Sequence, residues 1–493
     1  MSESHKVFVR RIGLVGFSQT FVGLKGLILL PIFTKILGAS DYGIWAFVLV
    51  TIAVFEPFII LGLNSAILRF LASKTKEEVV QGLITVVIIV LIAGVIASCF
   101  LFFISDILAS VILKDPSSSS VIKIASPYIL LTALNSIILG SFRVFGMIKK
   151  YAVIVIFKTG LEIGLIAYFV ISGFGIVGAI LASIAVSIIS LITMLLVIFS
   201  HSGVARPNFS LLKPYLLFGL PLIPISLAQF VIEISDRYVV GYFLGVEKVG
   251  IYSAAYNIGV IPVVFSTYLV YVLGPTVYDL YDKGKVDKVK MYLSYSWKYL
   301  MMLSIPSAFG LSILARPLLT TMTTSNFVSD GIYIVPLVSF SIVFWAVEQI
   351  FGVSILLFKR RKIFVIAFVV ASVVNLVLNI ILVPHWGLIA AAITTLTAYI
   401  ILAGIIAFNA RKYFKFTLNF GFIMKCIFSS VVMTLCIWVL NPLDKIGLIL
   451  SIVLGIIIYF GLLLLLKGFR KEELIAIFDT LGLNKINSIF LKK

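Results

Sequence analysis

Charged side chains lie within long apolar runs of this sequence, and their types suggest the binding of a charged molecule. A charge in the hydrocarbon core of a membrane is costly, so residues of this kind are candidate functional residues by default. They are Lys25, Glu56, Lys158, Glu162, Glu233, Asp236, Arg237, Lys298, Glu348 and Lys425. Two further basic residues, Arg69 and Arg143, lie nearer the ends of their runs, where a long side chain can reach the membrane interface.

Lys25 has the fewest local partners of these residues. It is flanked by Gly23 and Gly26, and no acidic residue lies within one helical turn of it. A cation at that depth requires a hydrated cavity, a bound anion or an acid on another helix, for which Glu56 is a candidate. Lys298 has the same pattern, although it lies about two turns from the end of its run and could reach the interface.

Two other groups of charges have candidate partners on their own helix. Lys158 and Glu162 are four residues apart, so they share a helix face and could neutralise each other. Glu233 is four residues before Arg237 and could pair with it. Asp236, adjacent to Arg237, would then point in a different direction and need a partner of its own. For both groups the sequence leaves a structural ion pair and a substrate contact open.

The sequence contains no set of residues that is typical of an enzyme. The three histidines, His5, His201 and His385, fall in tails or loops. We find no Ser-His-Asp order, phosphate-binding loop or metal-ligand cluster. The sequence therefore predicts a protein that is not an enzyme and that uses no cofactor and no metal. Without a nucleotide-binding motif, transport would depend on an ion gradient, the membrane potential or the gradient of the substrate itself.

The elements that position the charged residues are predicted to be transmembrane helices. The mean hydropathy is +1.20, and 61% of residues are hydrophobic while 12% are charged, against about half and a quarter in soluble proteins. Apolar runs of about 18 residues or more recur, long enough to cross a bilayer as helices, and they do not alternate as strands would. The fourteen predicted spans are 10–36, 42–71, 79–103, 120–146, 151–172, 175–200, 213–243, 249–278, 289–314, 331–357, 362–383, 387–409, 417–440 and 446–467.

Basic residues are distributed unevenly between the two predicted membrane faces. With the N-terminus inside, most loop lysines and arginines collect on the cytoplasmic face, which predicts a multi-pass protein of the cell membrane with both termini in the cytoplasm. The formal net charge of +19 is therefore largely a topology signal. Basic loops that face anionic lipid explain this charge without nucleic acid as a partner.

Two sequence signals occur in both halves of the chain. LGASDYGIW at Leu37–Trp45 returns as LGVEKVGIY at Leu244–Tyr252, and GIVGA at Gly175–Ala179 returns as GLIAA at Gly387–Ala391. Two pairs at nearly constant offset indicate a duplicated helical bundle, an architecture typical of secondary transporters with a site between the halves. The predicted units are an N-lobe at 1–212 (spans 1–6), a C-lobe at 213–412 (spans 7–12), spans 13 and 14 at 413–467, and a cytoplasmic basic amphipathic tail at 468–493.

The basic residues within the spans predict a cationic cavity. Lys25 and Arg237 lie in the equivalent first spans of the two halves, so both could face the cleft between them. The predicted substrate-binding residues are Lys25, Lys158, Arg237, Lys298, Arg69 and Arg143. Such a cavity suits an anionic headgroup such as a diphosphate, to which lysine offers a point charge and arginine a fork of donors. The acidic candidates for binding a coupling ion are Glu56, Glu162, Asp236 and Glu348.

Several segments resemble a known family. Leu30–Gly43 (LPIFTKILGASDYG) is similar to the opening of polysaccharide-export flippases in the multidrug/oligosaccharidyl-lipid/polysaccharide superfamily. Ser235–Gly245 (SDRYVVGYFLG), followed by Val249–Tyr256 (VGIYSAAY), resembles the family's second-half signature. Val383–Ala392 (VPHWGLIAAA), after the helix that carries Asn375 and Asn379, is also typical. The resemblance covers essentially the whole chain.

The resemblance implies an all-α polytopic membrane protein of about fourteen helices, with two pseudo-symmetric six-helix lobes in a V shape and two C-terminal helices. It implies that the protein flips a polyprenyl-diphosphate-linked oligosaccharide from the cytoplasmic to the outer leaflet by alternating access. The implied partners are that lipid-linked oligosaccharide, membrane lipids and glycan-assembly enzymes.

Three other functions stay open at this point. A drug or cation antiporter of the same superfamily predicts a mainly acidic cavity, whereas basic residues are at least as frequent as acids in these spans. A lipid II flippase fits fourteen spans, but span 1 carries a single Lys25 in place of that branch's arginine pattern. A scaffold of an envelope-assembly complex predicts no need for buried charge.

Overall fold

Helices dominate the described part of the chain. This computed structural model describes residues 3–72, 74–358, 360–441, 444–469 and 473, with the backbone alone for 3–14, 268, 271 and 272. No strand occurs among these residues, which agrees with the all-α prediction. The long apolar runs form helices because, in lipid, only a helix satisfies every backbone polar group within a single segment. The predicted tail at 468–493 lies outside the described residues except for Gly468, Phe469 and Glu473.

Seven α-helices form the first half of the chain. They are α1 (Glu3–Ile32), α2 (Gly38–Ile60), α3 (Leu63–Phe70), α4 (Lys76–Ile107), α5 (Ser119–Val144), α6 (Ile148–Ile171) and α7 (Gly175–Ser202). A π-helical turn, Phe33–Leu37, joins α1 to α2, and another, Leu108–Ile112, follows α4. The N-terminus of α4 is fixed by a capping box, in which Thr75 and Glu78 each accept a hydrogen bond from the other's backbone N–H.

The second half begins with shorter helices because prolines and glycines interrupt it. Pro224 lies in the first turn of α9 and Pro262 directly precedes α12, and proline is tolerated there because it lacks an N–H. The helices are α8 (Leu212–Gly219), α9 (Ile223–Ile234), α10 (Asp236–Leu244), α11 (Val246–Gly259), α12 (Val263–Asp282), α13 (Val286–Ile313), α14 (Ala315–Met322), α15 (Ser325–Leu357), α16 (Arg361–Tyr413), α17 (Phe420–Leu440) and α18 (Lys445–Leu465).

Ten or eleven described segments can be compared with the fourteen predicted spans. Ten segments are long and apolar enough to cross a membrane, and α13 with α14, bent by 67°, makes an eleventh. Two of the ten, Val15–Ile60 and Arg361–Tyr413, contain 46 and 53 residues, enough for two crossings each. A glycine with positive φ interrupts each of them, Gly38 at 84° and Gly387 at 61°, a conformation that favours glycine. Helices α11 and α12 cover the predicted span 249–278 but are not among these segments, so the count of fourteen stays a prediction.

The helices pack as two lobes. In the first half α1 packs on α6, α4 packs on α5, and α7 packs on both α5 and α6. In the second half α15 packs on α13 and α16, while α9 and α10 pack on α16. The helices α17 and α18 pack on each other, and α17 also packs on α13. The two-lobed architecture is therefore confirmed, while the residue boundaries assigned to each lobe stay a prediction.

The repeated LG signal lies where the lobes meet. At the crossing of α2 and α11, a Cβ atom added to Gly43 would collide with the carbonyl oxygen of Val246. A Cβ added to Gly250 would collide with the carbonyl oxygen of Ala39. Gly43 and Gly250 are equivalent in the repeat, and so are Ala39 and Val246. The duplication therefore encodes a close, symmetric backbone crossing, which we call the Gly43 contact.

A second glycine pair joins the lobes at the other end of α2. A Cβ added to Gly62 would collide with the backbone of Gly219, and one added to Gly219 would collide with the carbonyl oxygen of Leu61. Gly62 also has a φ of 70°, which independently favours glycine. We call this approach of α3 to α8 the Gly62 contact. The two lobes thus touch at both ends of one helix.

Candidate functional site

A cavity of about 570 Å³ lies between the lobes. Its walls come from α1, α2, α9 to α12, α15 and α16, and α2 contributes the stretch 42–50, close to the Gly43 contact. Three of its lining residues are charged: Lys25, Glu233 and Arg237. The structure therefore brings Lys25 and Arg237 to one space, as their positions in the duplicated sequence predict.

Lys25 reaches this cavity from α1 and pairs across to α6. Its Nζ lies 3.0 Å from Oε1 of Glu162, with the lysine side chain 24% exposed and the glutamate side chain 6% exposed. The same oxygen accepts a hydrogen bond from the hydroxyl of Tyr128, at 3.3 Å. The acid that neutralises Lys25 is therefore Glu162 on α6, and the sequence-based candidate Glu56 is corrected. Helix spacing could not reveal this pair, since it joins two separate helices.

Lys158 does not form the ion pair with Glu162 that their spacing would allow. Within the described chain, no carboxylate oxygen lies within 4.0 Å of its Nζ, although Glu162, Lys25 and Glu56 are close enough to act on it electrostatically. Lys158 also lines a separate, mostly apolar cavity of about 190 Å³ between α6 and α7. The reason is that α1 packs directly on α6, which places Lys25 within ion-pair distance of the same carboxylate.

Arg237 follows a break in the helix path of the other lobe. Because α9 ends at Ile234 and α10 begins at Asp236, the last carbonyls of α9 lack main-chain donors. Two side chains donate hydrogen bonds to these carbonyl oxygens instead. The hydroxyl of Ser235 donates to the carbonyl oxygen of Val231 at 2.6 Å, and Nη1 of Arg237 donates to the carbonyl oxygen of Glu233 at 2.8 Å. The Arg237 side chain is therefore fixed by the backbone of the preceding helix.

The same guanidinium is also paired and stacked. Nη1 lies 2.7 Å from Oδ1 of Asp236, and these two side chains are only 7% and 1% exposed. The hydroxyl of Tyr252 donates to the other Asp236 oxygen. The guanidinium carbon lies 4.0 Å from the ring centre of Tyr256 and 5.2 Å from that of Tyr252. The prediction that Asp236 and Arg237 point apart is wrong, because the break at Ser235 lets adjacent side chains converge.

The two remaining acidic candidates, Glu56 and Glu348, lie in different environments. Glu56 lines a second cavity of about 260 Å³ beside the Gly62 contact. Glu348 is 1% exposed and accepts a hydrogen bond from Nε2 of Gln349 at 2.8 Å. In the described ranges no basic group pairs with Glu348 within 4.0 Å.

Lys298 lies away from the inter-lobe cavity. Its Nζ is 2.6 Å from Oε2 of Glu473, and both side chains are buried. The rings of Phe422 and Phe469 flank this nitrogen at 4.6 and 5.6 Å. The structure thus places Lys298 beside α17 and the start of the C-terminal tail, and not in the cavity that the sequence predicts for it.

Arg69 and Arg143 also lie outside the cavity lining. Both side chains are exposed, and each lies over an aromatic ring. The guanidinium carbon of Arg69 is 5.0 Å from the ring centre of Phe218, and that of Arg143 is 5.6 Å from Tyr151. These contacts follow from their positions near helix ends, where long basic side chains lie along apolar surface.

Reasoning from charge missed the neutral lining of the cavity. Large aromatic side chains form much of its wall, namely Phe33, Tyr42, Trp45, Tyr256, Trp345 and Tyr399. Asn257 also lines it and donates through Nδ2 to the hydroxyl of Tyr42 at 2.8 Å, which links α11 to α2 across the lobes. A signal for Tyr42 and Trp45 was present, since both fall within the first copy of the repeat.

The cavity between the lobes can hold a charged ligand. Its lining residues include no histidine and no cysteine. Both cations that face it already have an acidic partner, and Glu233 adds a carboxylate. An anionic ligand must therefore compete with an internal acid for at least one cation, because two cations alone do not make an unpaired positive site.

The described helices adopt a known transporter fold. The lipid II flippase MurJ in an inward closed conformation matches with a TM-score of 0.76 and 18% identity, covering 92% of this chain and 98% of that one. A MATE family multidrug resistance transporter in an inward-facing conformation gives 0.68 and 18%, covering 79% and 94%. A transporter from Pyrococcus furiosus gives 0.61 and 17%, covering 82% and 94%. The fold is that of the multidrug/oligosaccharidyl-lipid/polysaccharide (MOP) superfamily.

The sequence identifies the family within that class. The family model described as "Polysaccharide biosynthesis protein" matches residues 32–330, more than half of the chain. This protein therefore belongs to the polysaccharide biosynthesis protein family, which confirms the resemblance seen in its sequence. The probable low-salt glycan biosynthesis flippase Agl15 of Haloferax volcanii is 21% identical over 262 residues, 53% of this chain. The match spans about half of that relative's length, 55%.

Proposed function

We propose that this protein flips a polyprenyl-diphosphate-linked oligosaccharide from the cytoplasmic to the outer leaflet of the cell membrane by alternating access. The observation that carries the proposal is the cavity between the lobes, which Lys25 and Arg237 line from the first span of each half. Membership of a polysaccharide biosynthesis family supports a glycan substrate. The partly matching relative is itself described as a glycan biosynthesis flippase.

The proposed orientation has both termini in the cytoplasm, because the loops on that side are rich in lysine and arginine. Helix α2 then starts at the outer face, so the Gly43 contact is the outer contact and the Gly62 contact is the cytoplasmic one. Loading from the cytoplasm requires the Gly62 contact to part. Release to the outer leaflet requires the Gly43 contact to part.

The dimensions and surfaces of the cavity suit the headgroup of such a lipid. Its volume of about 570 Å³ lies in the usual range for ligand pockets, about 300–1,000 Å³, which favours a diphosphate and its nearest sugars. Next to Lys25, helix α1 exposes the apolar side chains of Val22, Leu24 and Ile28. A polyprenyl chain can therefore stay against apolar surface while its diphosphate reaches Lys25.

We assign substrate contact to Lys25 and Arg237 and ion coupling to a buried acid. Among the acidic candidates, Glu162 and Asp236 are each paired with a cation, whereas Glu348 is buried beside Gln349. A carboxylate buried without a cation is costly unless it binds an ion or a proton. Glu348 is thus the preferred coupling residue, with Glu56 as the alternative. Glycan-assembly enzymes that supply the substrate are the expected protein partners.

One observation favours a second function, a drug or cation antiporter. Glu233 faces the same cavity and accepts a hydrogen bond from Nε2 of Gln229 at 2.8 Å. A carboxylate within an aromatic-lined cavity can also bind an organic cation. The two functions differ in the sign of the charge that the cavity binds, so a binding experiment separates them.

The test is flipping and binding with purified protein in liposomes. A polyprenyl-diphosphate oligosaccharide with a fluorescent sugar is placed in one leaflet, and its transfer is followed by a quencher that cannot cross the membrane. We expect transfer by the wild type and its loss in Lys25→Ala. Lys123→Ala is the matched control, because Lys123 pairs with Asp106 at 2.9 Å and its side chain is 34% exposed, close to the values for Lys25.

The same liposomes decide between the alternatives. Binding and exchange of tetraphenylphosphonium without transfer of the diphosphate lipid would replace the flippase with the antiporter. Transfer of lipid II in preference to other diphosphate-linked glycans would narrow the function to a lipid II flippase. Equal loss of transfer in Lys25→Ala and Lys123→Ala would contradict the assignment of Lys25 as a substrate contact in the cavity.

A further inference from the structure

We infer that Glu162 is a switchable counter-ion, which holds Lys25 in this structure and turns to Lys158 when an anionic ligand takes Lys25. This inference rests on the proposed function, because it concerns how the inter-lobe cavity accepts a diphosphate. It assigns a positioning role to Glu162 and Lys158, neither of which lines that cavity.

The two members of the Lys25–Glu162 pair differ in access. Lys25 lines the cavity and keeps 24% of its side chain exposed, whereas Glu162 is 6% exposed and does not line the cavity. A ligand can therefore approach Lys25 from the open side while Glu162 stays behind it. A half-buried pair of this kind binds less firmly than a fully buried one, because water screens its open side.

Lys158 provides a second partner for the same carboxylate. It lies one helical turn before Glu162 on α6, a spacing at which side chains are neighbours. In the described residues, Lys158 has no carboxylate within 4.0 Å of its Nζ, while Glu162 acts on it electrostatically. A rotation of the Glu162 side chain along α6 can thus exchange Lys25 for Lys158 without leaving the carboxylate unpaired.

Tyr128 limits how far the carboxylate moves. Its hydroxyl donates to Oε1 of Glu162, the oxygen that also binds Lys25. Tyr128 is on α5 and 6% exposed, so it belongs to the packed interior of the N-lobe. A donor that stays in place keeps Glu162 inside the lobe and favours exchange between two lysines over movement into the cavity.

This arrangement selects for ligands with more than one negative charge. A monoanion that takes Lys25 replaces one unit of negative charge with another, so it gains little. A diphosphate brings additional charge and acceptor oxygens to the same ammonium group, which carries three donors. The switch therefore discriminates between a diphosphate lipid and the singly charged phospholipids around it.

The experiment measures binding of farnesyl diphosphate to the full chain in detergent by titration calorimetry. Glu162→Gln removes the competing charge and keeps the shape of the side chain. We expect it to bind the probe about tenfold more tightly than the wild type does. That change in affinity corresponds to about 1.4 kcal/mol. Lys25→Ala and the double variant Lys25→Ala/Glu162→Gln should bind equally weakly, because the gain requires Lys25. Asp330→Asn, which breaks the Lys248–Asp330 pair at the surface, is the control with unchanged affinity.

Lys158 is tested in two backgrounds. In the wild type, Lys158→Met should weaken binding, because the displaced Glu162 then has no second lysine. In Glu162→Gln the same change should have no effect. Weakening in both backgrounds would mean that Lys158 contacts the ligand itself and would overturn its role as a second partner.

The outcomes separate the switch from the proposed function. If the wild type binds the probe through Lys25 and Glu162→Gln binds no more tightly, the switch is overturned and the anionic site stands. If neither protein binds the probe, both proposals are overturned. Phosphatidylglycerol, a singly charged phosphodiester, completes the set, since the gain from Glu162→Gln should bring its affinity closer to that of the diphosphate.

Discussion

The two lobes hold their cavity-facing cations in opposite ways. In the N-lobe, Lys25 is paired with an acid on another helix and keeps part of its side chain exposed. In the C-lobe, Arg237 is paired with the adjacent residue, bonded to the preceding helix and stacked on two tyrosines, with almost no exposure. The equivalent first spans of the duplicated bundle thus carry a partly exposed cation and a buried one.

Under the proposed function, this difference gives the two lobes different roles in substrate binding. A cation with one long-range partner can change partners when a ligand arrives, because only one contact is lost. A cation with several short-range partners keeps its position whatever binds nearby. A flippase can use the first to admit a charged headgroup and the second to define where that headgroup stops. The predictions that follow test the contrast, starting with the largest expected effect.

The largest effect is expected from Arg237→Met. It leaves Asp236 buried without its cation, and removing one member of a buried pair costs about 3–5 kcal/mol. The measurement is the midpoint of denaturant unfolding in detergent, followed by tryptophan fluorescence. A loss no greater than that of Lys25→Met, described below, would contradict the assignment of Arg237 as the fixed cation.

The glycine crossing should respond equally from both lobes. Gly43→Ala and Gly250→Ala each place a methyl group against a backbone carbonyl of the other copy, and overpacking of this kind costs about 1–3 kcal/mol. Thermal unfolding in detergent measures the loss.

The matched control for these two variants is Gly23→Ala, since nothing lies within 4 Å of a Cβ there. It should stabilise α1 by about 0.5–1 kcal/mol through helix propensity. Unequal losses from Gly43→Ala and Gly250→Ala would show that the crossing is less symmetric than the repeat predicts.

Each lobe has a tyrosine that donates to the acid of its ion pair. Tyr252→Phe removes the donor to Asp236 in a fully buried site and should cost about 1.5–3 kcal/mol, as for hydrogen bonds to charged groups. Tyr128→Phe removes a longer hydrogen bond, 3.3 Å to Glu162, and should cost about 0.5–1 kcal/mol. The unfolding midpoints of the two variants measure these losses. A larger loss in Tyr128→Phe than in Tyr252→Phe would contradict the contrast between the two lobes.

The smallest effect is expected from Lys25→Met. Its pair is partly exposed, so its loss should cost about 1 kcal/mol or less, and Lys158 remains near Glu162. The double variant Lys25→Met/Lys158→Met should lose about 1–3 kcal/mol more than the sum of the single changes, because Glu162 then has no cation. Additive losses in the unfolding midpoint would show that the two lysines do not share one acid.

Much of the fold could be predicted from the sequence, because long apolar runs and an internal repeat are local signals. The two glycines of the repeated LG signal even define where the lobes cross. The pairing of charges was less predictable. Lys25 finds Glu162 only because α1 packs on α6, and no spacing along the chain encodes which helices are neighbours.

Two further pairings depended on features that spacing rules do not contain. Asp236 and Arg237 meet because the helix breaks at Ser235, whereas adjacent residues on a continuous helix diverge. Lys298 pairs with Glu473, far away in the sequence and beyond the last span. Reasoning from charge alone also omitted the aromatic wall, since tyrosine and tryptophan within an apolar run resemble ordinary core residues.

The Gly43 contact also has a mechanical consequence. It lies at one end of α2, whose 23 residues extend about 35 Å at 1.5 Å per residue. A contact near one end of a helix of that length can act as the pivot when the helix tilts. Gly62 lies about 28 Å beyond Gly43 at that rise, so a tilt of about 10° at Gly43 moves the end where Gly62 meets Gly219 through about 5 Å. A small movement at the Gly43 contact can therefore separate Gly62 from Gly219 at the opposite face by roughly the width of a sugar.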